Sequence, residues 1–284
     1  VVSRTSVMQY RSTTKSIKQI AAELGVAYVL EGSVRRAGNK VRVTGQLIHA
    51  ATDEHVWAKA YDRDLTDIFG IQAELSQQIA QALQAALSPQ ETQLLERRPT
   101  QNLAAYDAYV KARQLRQQVL MPEAEPLLKT AVTLDPQFAQ AWAELGSLHA
   151  QMYFGDIDHS ATRLADAKAA IDRAVQLAPD APETIEKLGD FYYYGYRDYT
   201  RAAEQYRRLA VLRPNDAVVQ GSMGLIHRRQ GLWRESVAEL SRAVELEQSS
   251  LHPHAGAALY RAASVRRSDG GPKEDRGALS GKPG

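Results

Sequence analysis

Seven histidines are the first candidates for chemistry, because imidazole both ligates metals and transfers protons near neutral pH. They stand at positions 49, 55, 149, 159, 227, 252 and 254. None belongs to a His-Glu-x-x-His run or another metal-ligand spacing. The pair His252 and His254 flanks a proline that favours an extended link, so we interpret it as an exposed turn. For His149 and His227 we predict structural packing between helices.

Three carboxylates, Asp62, Asp64 and Asp67, are spaced closely enough to offer oxygen ligands to a cation. The segment lacks the glycine and the closing glutamate of a calcium loop, and capping of the following helix explains the same residues. The sequence contains no cysteine, no glycine-rich phosphate loop and no Gly-x-Ser-x-Gly motif. We therefore predict no catalytic, cofactor-binding or metal-ligating residue.

The charge balance argues against nucleic acid as a partner. The chain has 35 Lys plus Arg against 33 Asp plus Glu, a net charge of +2, which gives no broad field for a polyanion. A basic hairpin tip of Arg35, Arg36, Lys40 and Arg42 is interpreted as a solvated edge that resists aggregation. No stretch reaches the roughly 18 to 20 apolar residues of a membrane span. We expect a soluble chain without direct membrane insertion, in either the cytoplasm or the periplasm, as part of a bacterial protein for which membrane tethering stays an open alternative.

The first part of the sequence predicts a small α/β unit. Ser16 and Gln19 form a capping box that opens a helix, and Gly25 suits its left-handed end. Residues 28–36, 40–50 and 55–62 alternate with period two and predict three strands in an antiparallel meander. Asp64 is expected to cap a second helix, which ends at Ser88. Its apolar stripe is Ile68, Ile71, Leu75, Ile79, Leu83 and Leu87.

Residues 17–34 also resemble a helix-turn-helix, the alternative that would imply DNA binding. The expected recognition helix should be polar and helical. The residues after Val26 are strand-like instead, which argues against this alternative.

The second part of the sequence repeats. Ala-Val-x-Leu-x-Pro or a variant recurs at Ala131, Ala174, Leu209 and Ala243, with spacings of 43, 35 and 34 residues. A period near 34 is that of tetratricopeptide repeats, and an insertion around residues 153–161 explains the longer first spacing. The rest of the pattern follows in register at Trp142, Leu145, Gly146, Leu188, Gly189, Gly224, Ala124, Ala202 and Tyr206. Residues 102–267 thus resemble the tetratricopeptide family.

A second resemblance lies in the first hundred residues. Val-Ser-Arg-Thr-Ser at positions 2–6, Ala-Glu-Leu-Gly-Val-Ala-Tyr-Val-Leu-Glu-Gly-Ser-Val at 22–34 and Tyr-Asp-Arg-Asp at 61–64 resemble the TolB amino-terminal-like domain, related to the FlgO-like domain. The family's opening strand and helix would precede Val1. That gap leaves an open sheet edge, a route to self-association. The resemblance implies an output module elsewhere in the protein: a class III adenylate cyclase, a Ser/Thr kinase or a winged-helix regulator.

We therefore predict an α+β protein in three parts: residues 1–98, a partial TolB-like α/β domain with antiparallel strands and two helices; 99–267, an all-α tetratricopeptide superhelix; and 268–284, a disordered tail. The first helices of such repeats line a concave groove that accepts a peptide or protein. The expected groove residues are Tyr109, Arg113, Arg116, Gln140, Ser147, Glu186, Asp190, Tyr193, Leu225 and Arg228.

The expected function is that of a non-catalytic interaction or sensory module of a bacterial signalling or envelope protein. The alternative is the regulatory half of a signalling enzyme or transcriptional regulator whose output domain lies upstream. Near the groove, Tyr192, Tyr193, Tyr194 and Tyr196 form a cluster in which we expect Tyr192 to be buried and at least one ring to be exposed.

Overall fold

The computed structural model describes residues 13–84, 97–155 and 157–248, together with positions 7, 10 and 92. Helices and strands in this part are α1 (Ile17–Leu24), β1 (Tyr28–Ala37), β2 (Lys40–His49), β3 (Glu54–Asp64), α2 (Ile68–Ala82), α3 (Leu103–Gln117), α4 (Met121–Leu134), α5 (Ala139–Phe154), α6 (Ala161–Leu177), α7 (Pro182–Phe191), α8 (Tyr199–Leu212), α9 (Ala217–Arg229) and α10 (Trp233–Gln248). A 3-10 turn (Leu65–Asp67) precedes α2, and a π-helical turn (Tyr192–Tyr196) follows α7.

Several predictions concern other residues. Four of them lie outside the described residues: the run at positions 2–6 that carries part of the TolB-like resemblance, Leu87 and Ser88 in the second helix, the turn at His252 and His254, and the tail at 268–284. None of the described helices is both long and apolar enough to cross a membrane.

Helix α1 begins and ends as its sequence predicts. The backbone amide of Gln19 donates to the Ser16 hydroxyl at 3.3 Å, and the Ser16 amide donates to the Gln19 side chain at 3.0 Å. Gly25 ends the helix at φ 65°, a left-handed conformation that glycine adopts without steric penalty. The capping box is therefore confirmed.

The three strands form an antiparallel sheet in the order β1, β2, β3, which confirms the meander. Helix α2 packs on β2 and β3, where Val41, Val43, Tyr61 and Ile71 make a small core. Since β1 begins at Tyr28, directly after α1 and a short turn, the DNA-recognition helix of the alternative reading is replaced by a strand.

The start of α2 differs from the prediction. Asp64 is the last residue of β3, and its carboxylate pairs with Lys40 on the neighbouring strand at 3.0 Å. The helix begins after the 3-10 turn, with Asp67 at the cap position but without a side-chain cap hydrogen bond. Asp67 instead accepts from Arg63 at 3.0 Å. The prediction that Asp64 caps the helix was wrong, because Asp64 belongs to β3 and pairs across strands, and Asp67 occupies the cap position instead.

One half of the sheet face remains open. The register places Tyr28, Leu30 and Val34 of β1 on the same face as the buried Val43 and Leu47 of β2. Their exposed fractions are 41, 51 and 69%. Helix α2 packs against β2 and β3, and these three side chains of β1 keep a large exposed apolar surface.

The later helices pair in sequence order as hairpins: α3 with α4, α5 with α6, α7 with α8 and α9 with α10. The four residues that mark the repeat, Ala131, Ala174, Leu209 and Ala243, are at most 1% exposed. They lie on the second helix of each hairpin, where small or aliphatic side chains pack against the first helix. The chain is therefore a stack of tetratricopeptide-type hairpins beside a small antiparallel sheet. The predicted insertion lies in the connection between α5 and α6.

Glycine lets the two helices of a hairpin approach closely. A Cβ on Gly146 would lie 2.5 Å from Ile171 Cγ1 and 3.0 Å from the Ile171 backbone nitrogen. At Gly189 it would meet the Tyr206 ring at 2.7 Å, and at Gly224 it would meet Leu240 Cγ at 2.7 Å. The repeated glycine is thus required by packing against the second helix.

Substitution Gly146→Ala should destabilise the stack by about 1 to 3 kcal/mol, since the new methyl group overlaps backbone atoms of α6 that cannot rotate away. Gly221→Ala on α9 is the matched control. Its Cβ would meet only Ala243 at 3.9 Å, so the better helix propensity of alanine should stabilise the protein by about 0.5 to 1 kcal/mol. Urea denaturation followed by circular dichroism measures both; equal stability of Gly146→Ala and wild type would contradict the packing argument.

Candidate partner-binding groove

The first helices of the four hairpins, α3, α5, α7 and α9, form the surface that we call the first-helix groove. All ten predicted groove residues lie on these helices or, for Tyr193, on the π-helical turn. Arg113 is exposed, and Arg116, Gln140, Glu186, Asp190, Leu225 and Arg228 are half-buried. Tyr109, Ser147 and Tyr193 are buried. The groove therefore has a polar surface over a buried layer that packs the hairpins together.

Five charged side chains meet in the middle of the groove, and we call them the central ion cluster: Arg116, Glu144, Glu186, Lys187 and Asp190. Arg116 on α3 forms a close ion pair with Glu144 on α5. Lys187 on α7 lies 2.6 Å from Glu186, 3.5 Å from Asp190 and 3.9 Å from Glu144. The cluster joins three successive hairpins.

Hydrogen bonds extend the central ion cluster into the packed layer. The Ser147 hydroxyl donates to Asp190 at 2.8 Å and accepts from Arg116 at 3.4 Å. From the second helix α8, the Tyr206 hydroxyl donates to the other Asp190 oxygen at 2.6 Å. Ser147 belongs to the second hairpin, and its two hydrogen bonds therefore connect the first hairpin to the third.

Burial and the neighbouring charges shift the pKa values of Glu144 and Lys187 in opposite directions. Burial alone would raise the pKa of Glu144, but the cations Lys187, Arg116 and Arg113 outweigh it and hold the pKa below its usual 4.5. Burial would lower the pKa of Lys187, but Glu186, Glu144 and Asp190 raise it above its usual value. Both side chains thus stay charged at neutral pH, and their charges compensate each other.

Two further contacts lie along the groove, on either side of the central ion cluster. On α3, the Arg113 guanidinium lies 5.7 Å from the centre of the Tyr109 ring, and burial raises the pKa of that tyrosine. Beyond α7, Arg213 pairs with Glu183 at 2.7 Å and with Glu186 at 3.5 Å. Arg213 therefore links the third hairpin to the chain entering the fourth.

The tyrosine cluster lies on the π-helical turn. Tyr193 is 7% exposed, while Tyr196 is 50% exposed. The expectation of one exposed ring is confirmed. The most buried ring is Tyr193 rather than Tyr192, because the wider turn rotates Tyr193 toward Phe154 and Tyr199.

Sequence reasoning missed Glu144, Lys187, Tyr206 and Arg213 as parts of this surface. A signal for the first two was available. Glu144 and Lys187 each precede a repeat glycine, Gly146 or Gly189, by two residues, so the repeat register places opposite charges at equivalent positions of neighbouring hairpins.

Residues considered for metal binding have other partners. Asp62 pairs with Arg42 at 3.7 Å, Asp64 with Lys40 and Asp67 with Arg63. Within residues 13–84, 97–155 and 157–248, no group of three His, Asp or Glu could hold a metal ion.

The two predicted structural histidines are held by charged neighbours. His149 is 2% exposed and accepts from Arg163 at 2.6 Å, while His227 lies 2.8 Å from Glu239. Burial lowers the pKa of His149. These contacts are consistent with packing roles.

Comparison with known proteins gives partial matches. No family model matches the chain. Over 148 residues the chain is 40% identical to a protein named as an adenylate cyclase from Rhizobium meliloti strain 1021, a region that is 51% of this chain and 25% of that protein. The mouse protein O-mannosyl-transferase TMTC1 is 38% identical over 80 residues, 28% of this chain and 8% of TMTC1. The chain thus spans a quarter or less of either relative.

Among solved structures, the type IV pilus biogenesis factor PilW is 16% identical, with a TM-score of 0.46 over 58% of this chain and 70% of PilW. TTC0263, a thermophilic TPR protein of Thermus thermophilus, is 18% identical, with a TM-score of 0.47 over 57% of this chain and 83% of that one. The repeat assignment rests on the hairpins and spacing of the chain itself.

Substitution Glu144→Gln should destabilise the protein by about 3 kcal/mol at pH 7, because it leaves the buried Arg116 without its carboxylate. A lowered folded-state pKa means that the stabilisation by Glu144 is complete above its usual pKa of 4.5 and is lost as the pH falls through the folded-state value. The difference between wild type and variant should therefore be constant above about pH 5 and shrink below pH 4.5.

Urea denaturation at pH 7, 5, 4 and 3 measures this difference. Asp172→Asn, which removes an exposed carboxylate paired with Lys168, is the control and should change stability by less than about 0.5 kcal/mol. A difference for Glu144→Gln that does not depend on pH would argue against a compensated buried charge.

Proposed function

We propose that this chain is a non-catalytic interaction module that binds a protein or peptide in the first-helix groove. The central ion cluster is the observation that carries the proposal. It fixes α3, α5 and α7 relative to one another with compensated charges, on the side of the stack where Arg113, Gln140 and Arg228 remain accessible. A surface held in place before binding loses less conformational entropy when a guest binds.

The charge arrangement limits the kind of guest at the groove centre. Capture of a peptide C-terminal carboxylate by repeats of this family requires free cations on the first helices. Arg116 is paired with Glu144, and Lys187 is paired with three carboxylates, so neither offers a free charge. The centre therefore suits an uncharged or mixed-charge segment, with Arg113 at one end.

The place of this module in a larger protein is the second part of the proposal. Residues 1–98 would form a partial TolB-like or FlgO-like domain, 99–267 the repeats and 268–284 a tail. Such a chain would serve as the sensory or scaffold part of a bacterial signalling or envelope protein, in the cytoplasm or periplasm.

A more specific candidate is the regulatory half of a nucleotide cyclase. The 40% identity over 148 residues to a protein named as an adenylate cyclase favours it. A Ser/Thr kinase or a winged-helix output domain has no comparable observation behind it.

The groove proposal predicts that Arg113→Glu combined with Arg228→Glu reduces recovery of the bound partner at least tenfold, since both changes reverse charge on the guest-facing surface. Lys129→Glu combined with Arg208→Glu is the matched control. These two exposed residues lie on the second helices α4 and α8. Affinity purification of the full-length protein from the source bacterium, quantified by mass spectrometry, compares the three. Equal recovery with wild type and the groove variant would reject the assigned surface.

The cyclase candidate predicts that the purified full-length gene product converts ATP into cyclic AMP, and that the 284-residue chain alone does not. A full-length product without cyclase activity would remove this candidate. The groove proposal would stand or fall independently on the purification experiment.

A further inference from the structure

Two arginines converge on one aromatic ring at the edge of the first-helix groove. Phe154 is the last residue of α5, Arg229 is the last residue of α9, and Arg197 follows the π-helical turn. The guanidinium carbons of Arg197 and Arg229 lie 5.6 and 5.7 Å from the centre of the Phe154 ring. We call Phe154, Tyr193, Tyr194, Arg197 and Arg229 the arginine rim.

The rings of the arginine rim form a packed platform. Tyr194 meets Phe154 edge to face with centroids 5.3 Å apart, and Tyr193 lies 4.8 Å from Tyr194. The Arg229 Nε donates to the Tyr193 hydroxyl at 3.3 Å. A guanidinium stacked on a fixed ring keeps its N–H donors free at the edges and loses little side-chain entropy when it binds an anion.

The charge of the arginine rim is not compensated. In the part of the chain that the structure describes, neither Arg197 nor Arg229 forms an ion pair with a carboxylate, and both are exposed. The neighbouring Asp198 pairs with Arg201 at 3.4 Å. Arg116, Lys187 and Arg213, by contrast, all pair with carboxylates along the groove. The rim is thus a local positive site beside a neutralised groove centre.

The backbone at this place is also unusual. Arg197 has a φ of 54°, a left-handed conformation that non-glycine residues seldom adopt. It directly follows the π-helical turn Tyr192–Tyr196, a type of turn that occurs frequently at functional sites. The same residue carries the guanidinium that lies beside Phe154.

We propose that the arginine rim binds an acidic segment of the protein partner, with Asp or Glu carboxylates accepting hydrogen bonds from Arg197 and Arg229. This inference rests on the proposed groove function and specifies the chemistry of its guest. A nucleic acid fits less well, because the cations of the adjoining groove centre already pair with Glu186 and Asp190 and leave no further free charge for a continuous phosphate backbone. A short acidic stretch meets the rim while the neighbouring part of the peptide follows the neutral groove.

The test uses fluorescence anisotropy with the purified chain and a fluorescein-labelled peptide of alternating Glu and Ser. The same peptide with Gln in place of Glu is the uncharged probe. Arg197→Gln combined with Arg229→Gln should weaken binding of the acidic peptide about tenfold, the effect of losing two charge-assisted contacts. Arg197→Lys combined with Arg229→Lys keeps the charge but loses the planar donors, and should give an intermediate loss.

Lys129→Gln combined with Arg242→Gln is the control, since it removes the same charge from exposed positions on α4 and α10. Equal binding by the control and the rim variant, equal binding of both peptides to wild type, or no binding of the acidic peptide would overturn the proposal. Tighter binding of a labelled oligothymidine, lost in the rim variant, would overturn it in favour of nucleic acid. If the rim variant keeps the cellular partner while the groove variant loses it, the groove function stands and the acidic guest does not.

Discussion

Contact between the two helices of each hairpin, at a glycine on the first helix, is the constraint on which the repeat stack depends. Gly146, Gly189 and Gly224 each lie where a methyl group would overlap the second helix. Because the two helices approach closely at this glycine, the residues on either side of it are buried to a fixed extent in the stack. One side packs the hairpins together, while the other carries the polar side chains of the groove.

Buried charge in the groove is better understood as a positioning device than as a source of stability. Removing ions from water is costly, and well-packed apolar residues often stabilise a core equally well. The pairing of Glu144 with Lys187 nevertheless places opposite charges on neighbouring first helices, and sliding one hairpin along another would separate these two charges. This requirement gives the stack a defined register in its middle, beside a rim whose two arginines remain uncompensated.

Patterns in the sequence were sufficient to predict the hairpins, the capping box at Ser16 and the antiparallel meander, because helices and strands follow from local periodicity and the repeat follows from its regular spacing. Features set by distant residues were not predictable in this way. Asp64 pairs across strands with Lys40 instead of capping a helix. Repeat register predicts which face of a helix a residue lies on but not how deeply it is buried, so Tyr109, Ser147 and Tyr193 were assigned to the groove surface although all three are buried. A charged residue normally predicts exposure to solvent, so Glu144 was not predicted to lie in the buried layer.

The π-helical turn also accounts for a small irregularity of the repeat. The spacing from Ala174 to Leu209 is 35 residues, one more than the spacing from Leu209 to Ala243. Gly189 and Ala202, which flank the turn, are one residue further apart than Gly224 and Ser236 in the next hairpin. A wider helical turn accommodates one additional residue without changing the phase of the helix on either side. A length change that would otherwise disrupt the array is thus absorbed within one hairpin, at the turn that also exposes the Tyr196 ring.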